Sequence, residues 1–78
     1  MPSPKQQIAD MALARAIEHL NHAVIQLHLV KDTLAGVQPS NARDAAALAD
    51  SADRDRALCA DLRHCVREAV PLTEAAPR

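Results

Sequence analysis

The chain has 78 residues, 49% of them apolar, with no Phe, Tyr or Trp and a formal net charge of −1 from nine basic and ten acidic side chains. That length makes one small domain. The mixed charge offers no basic block for a phosphate backbone and the missing aromatics no stacking platform, which argues against a nucleic-acid partner. No run approaches 18 consecutive apolar residues, which argues against a membrane span.

The N-terminus, MPSPKQQIAD, lacks the charged-then-apolar pattern of a secretory signal, so a cytoplasmic location is expected. Ser3, Pro4 and Gln6 read as a capping box with Pro in the first turn. A first helix is predicted over about 4–35. Its apolar positions Leu13, Ile17, Leu20, Val24, Leu27, Val30 and Leu34 step mainly by four and three, the spacing of one helix face. Ala12, Ala16 and Ala23 widen this stripe to roughly 140° at about 100° per residue. One partner helix covers less than that. A second, thinner stripe of Met11, Ile25 and Leu29 lies nearly opposite.

Gly36 is the only glycine and stands where a left-handed C-cap is expected, with Pro39 preventing the helix from resuming. The loop over 36–40 is short enough to turn the next helix back antiparallel. Ser40 or Asn41 is expected to cap a second helix over about 41–70, with Asp44 in its first turn. Its heptad reads Ala45, Leu48, Ala52, Asp55, Cys59, Leu62, Val66 and Ala69. Asp55 interrupts that seam, either wet at its rim or paired with His28 or Lys31. A break between Ser51 and Arg56 would give three helices instead of two. Asp50–Arg54 and His64–Glu68 stand at i,i+4 spacing on the solvated face. Pro71 ends the helix, and Leu72–Arg78 reads as a mobile tail.

Four histidines and two cysteines carry the only hint of chemistry. His19 and His22, with Glu18, resemble half of a carboxylate–histidine site, yet they face away from the main stripe, and His64, Cys59 and Cys65 do not share one face. No metal site and no cofactor is therefore expected. Cys59 and Cys65 are too far apart along a helix to bridge and read as reduced thiols. Cys59 falls on the apolar seam, and His64 and Arg67 beside Cys65 would lower its pKa if it were exposed. With one glycine there is no phosphate loop, and no acid–base pair or cleft is identifiable, so an enzyme is not expected.

The expected fold is all-α: an antiparallel two-helix hairpin that dimerises into a four-helix bundle. Leu13, Ile17, Leu20, Val24 and Leu27 are the expected centre of the dimer, and Met11, Ile25 and Leu29 the surface for another protein. This architecture resembles small helical-hairpin dimers, some of which are regulators or adaptors, a likeness of shape that does not imply function. The expected role is a non-enzymatic protein-interaction module. The alternative is a metal- or redox-responsive bundle using His19, His22, His64 and the cysteines.

Overall fold

A computed structural model describes residues 3–72. It contains two helices, α1 over Pro4–Leu34 and α2 over Pro39–Glu68, packed side by side, with no strand among the described residues. The expected tail lies, beyond Leu72, outside the described residues.

α1 starts as its sequence dictates. The Gln6 backbone N–H donates to Ser3 Oγ at 3.1 Å, and the Ser3 N–H donates to Gln6 Oε1 at 2.7 Å. This reciprocal pair satisfies two amide donors, and Pro4 fills the first turn, where no N–H partner exists. No Gly or Pro interrupts the helix before Leu34.

The turn is built differently from the expectation. Gly36 does not adopt positive φ. Ala35 stays right-handed (φ −54°, ψ −39°), and the Val37 and Gln38 N–H groups both donate to the Leu34 carbonyl, at 3.0 and 2.8 Å. Pro39 does not merely stop α1; it opens α2 at the first helical position, where its fixed φ is already helical. The N-cap is thus Gln38 rather than Ser40 or Asn41, and its side chain makes no capping bond, accepting instead from the Asn41 amide.

α2 runs unbroken through Ser51–Arg56. Among the described residues the left-handed one is Ala69 (φ 55°), at the far end of α2. There the Val70 N–H reaches back to the Cys65 carbonyl at 3.0 Å and the Ala69 N–H to that of Val66, the pattern of a Schellman cap.

Half of the expected α2 seam is displaced. Ala45, Ala52, Cys59 and Val66 do face α1, but the second column is Ala42, Ala49, Arg56 and Arg63, one position on from the predicted Leu48, Asp55 and Leu62. Leu48 and Asp55 are exposed, Leu62 is 40% exposed, and Ala69 is exposed at the cap. Asp55 forms no ion pair among the described residues; Lys31 bonds its own neighbour Asp32 at 3.5 Å. Asp50–Arg54 and His64–Glu68 do not close to ion-pairing distance either. The physical reason for the shift is close approach. Ala42, Ala45 and Ala49 are the buried residues along the first half of α2, and alanines let the helices come together where leucines would hold them apart.

The hairpin is long and flat, 53 × 26 × 10 Å, with a radius of gyration of 16.1 Å. A compact chain of this length would have about 11–12 Å.

Candidate functional site

Polar side chains join the two helices across the seam. Asp10 lies on the same four–three series as Leu13 and Ile17, one step earlier, and Gln6 one step before that. Asp10 accepts from Arg63 at 2.8 and 3.2 Å and from Arg67 at 2.9 and 3.3 Å, so two guanidinium forks grip one carboxylate. These bonds, from Arg63 first and Arg67 next, hold the Asp10 carboxyl down at a pKa of about 2, against the opposing effect of desolvation. The same contact raises Arg63. Beside it the Gln6 side-chain amide Nε2 donates to the Val66 carbonyl at 3.2 Å while Oε1 holds the capping box. Gln6, Gln7, Asp10 and Arg67 line an open recess of about 310 Å³. Nearer the middle, Arg56 donates to Asn21 Oδ1 at 2.7 Å and also binds Asp53. The sequence pattern singles out Gln6 only for the capping box and Arg67 only as a neighbour of Cys65, and assigns no cross-helix contact to Asp10, Asn21, Arg56 or Arg63. Carrying the α1 series back past Leu13 is the signal that finds Asp10 and Gln6.

A carboxylate locked by two arginines has no proton to give and no free basicity near neutral pH, so this cluster is a clamp between helices. The titratable groups elsewhere do not converge. His19, His22 and His64 are exposed, Cys59 is half-buried, and Cys65 is buried at 2% exposure, so Cys65 and not Cys59 is the inaccessible thiol. Among the described residues no three His, Cys, Asp or Glu side chains stand together as a ligand set.

The apolar residues fall into three places. Leu13, Ile17, Leu20, Val24 and Leu27 all line the α1 side of the seam and are only half-buried there. Met11, Ile25 and Leu29 are exposed, at 58, 62 and 59%, on the edge of α1 away from α2. The third place is a broad face of the hairpin. Asn21 meets Arg56 and Asp10 meets Arg67, which marks the side holding Gln7, Asn21, Asp53 and Arg67 as one polar face. Helix geometry puts Ala9, Ala16, Ala23 and Val30 of α1 on the opposite side, with Leu48, Asp55 and Leu62 of α2. Leu13, Leu20 and Leu27 lean toward this apolar face, and Ile17 and Val24 toward the polar one.

The fold and these surfaces define a two-helix hairpin with no helix long and apolar enough to cross a membrane among the described residues. No protein-family model, curated protein or solved structure matches the chain, so its functional reading rests on its own geometry.

Proposed function

We propose that this chain is a small non-enzymatic protein-interaction module that works as a homodimer, two hairpins forming a four-helix bundle, with a further protein as its partner. One observation carries the reading. The hairpin exposes 5755 Å², whereas a compact monomer of 8.4 kDa exposes about 4,600 Å². The excess is of the order that one partner loses in a standard protein interface, about 800 Å². The Leu13–Leu27 stripe stays only half-buried, because it has only alanines, one cysteine and two arginines opposite it over most of its length. A single seam is one layer, and domains bury their apolar faces between two. A twofold pair of identical chains is the commonest way to supply the second. Met11, Ile25 and Leu29 then stay open on the outer edge of α1 for the other protein.

Light scattering coupled to size exclusion over a concentration series tests this. A mass of two chains at micromolar concentration is expected. A cooperatively folded monomer throughout the series overturns the reading.

A further inference from the structure

From the two broad faces we infer which surface joins the protomers and how they are oriented, an inference that rests on the homodimer proposed above. The hairpins pack through the apolar face, about a twofold axis parallel to the helices, so that α1 of one protomer lies on α2 of its partner.

Area comes first. A stable interface covers about 800 Å² on each partner, and a face 53 Å long and 26 Å wide supplies it. The polar face has the same outline, but its Asp53, Arg56 and Arg67 already satisfy one another and Asn21 and Asp10, and covering them would strip water from charged groups.

Shape and charge then select the orientation. On the apolar face α1 presents the small side chains Ala9, Ala16 and Ala23, and α2 presents Leu48 and Leu62 with Asp55 midway. Gln6 against Val66 and Asp10 against Arg63 fix how the helices line up. Equal steps from those contacts bring Leu62 level with Asp10–Met11, Asp55 with Ile17–Glu18 and Leu48 with Val24–Ile25. A twofold axis parallel to the helices preserves these levels. Leu62 then enters the space between the partner's Ala9 and Ala16, and Leu48 the space beyond the partner's Ala23. Asp55, exposed and unpaired among the described residues, arrives within one helical turn of the partner's His19, which is exposed and offers ring N–H donors. The other face-to-face arrangement has its axis across the helices. It would lay alanine on alanine along α1, leaving voids, and set Asp55 on Asp55 at the centre, where two like charges repel in a water-poor interface.

Two measurements test the inference together. Glutamate at Leu48 or Leu62 is expected to raise the concentration of half-dissociation by about tenfold or more, whether the released chain stays helical or unfolds, because it buries an unpaired charge. Glutamate at Ile25, on the outer edge of α1, is expected to leave the dimer mass unchanged. Spin labels at V37C, in a C59A chain whose remaining Cys65 is buried, report the loop-to-loop distance. Both loops lie at one end in the inferred dimer, so the distance should stay near the 26 Å width. A distance near the 53 Å length would place the loops at opposite ends and overturn the orientation. A dimer that survives L48E and L62E but dissociates with I25E overturns the choice of face and leaves the homodimer standing. A monomer at every concentration overturns both.

Discussion

Ala69, at the C-terminal end of α2, is left-handed, and Gly36, just after α1, is not. Ala69 holds φ at 55°, where a Cβ crowds the following carbonyl, while Gly36 has no positive φ and open space around the position a Cβ would occupy. A69G should therefore stabilise the protein by up to about 1 kcal/mol, since glycine is the preferred residue of a left-handed cap. G36A should stabilise by roughly 0.4–1 kcal/mol by narrowing the unfolded ensemble. Thermal or urea denaturation checks both, and a loss of stability in G36A would mean that the turn needs its glycine after all. Asp10 gives the acid dependence. Its folded pKa of about 2 lies below the ordinary value of 3.8, so its contribution is full above about pH 5 and disappears as pH falls through 3.8 toward 2. D10N should flatten the loss of stability between pH 5 and 2, and added salt should weaken the effect, because Asp10 is about one-fifth exposed and Arg67 more than half. An identical acid profile in D10N would show that Asp10 does not anchor the helices.

At the scale of the helices, the seam depends on small residues, and that is a testable property. Ala49 is 1% exposed, so A49L must push the helices apart and should cost about 1–3 kcal/mol. A47L, on the exposed outer side of α2, should change stability by less than about 0.5 kcal/mol, measured in the same denaturation series. A tolerated A49L would mean that α2 can rotate on α1. This rotation is what the sequence leaves open. The extent and seam side of α1 are legible, because leucine, isoleucine and valine recur at one spacing and Ser3 with Gln6 signals its start. The seam side of α2 is not, because alanine occurs on all sides of it and carries almost no facial preference. A heptad through Leu48 and Leu62 follows the large side chains. In the hairpin those leucines sit beside the seam, and Ala42, Ala49, Arg56 and Arg63 enter it, with Arg63 drawn in by Asp10 and Arg56 by Asn21. Gln38 marks another weak point, an N-cap without a capping bond. Q38D should gain about 0.5–1 kcal/mol in melting experiments by accepting an amide of the first turn, and no gain would place the helix start elsewhere.

For the whole molecule, the question is whether one hairpin is the unit that folds. Ala42, Ala45, Ala49 and Cys65 are its buried apolar residues, and none of its leucines reaches that state. Small scaffolds with so little core rely on association, a metal or disulfides. The described residues hold no ligand cluster and both cysteines are free; in the proposed homodimer, association supplies the missing burial. Folding and dimerisation would then be one equilibrium, and mass action gives it a measurable slope. Unfolding enthalpy is about 0.7 kcal/mol per residue near 60 °C, so two chains of this length absorb about 110 kcal/mol together. With that enthalpy, each tenfold rise in protein concentration should lift the melting temperature by about 4–5 °C. Circular dichroism melts from low micromolar to near-millimolar protein resolve such a slope easily. A melting temperature that stays constant over that range would assign the whole stability to the hairpin's own alanine seam and its Asp10 clamp, and the exposed leucines would then need no second copy to explain the fold.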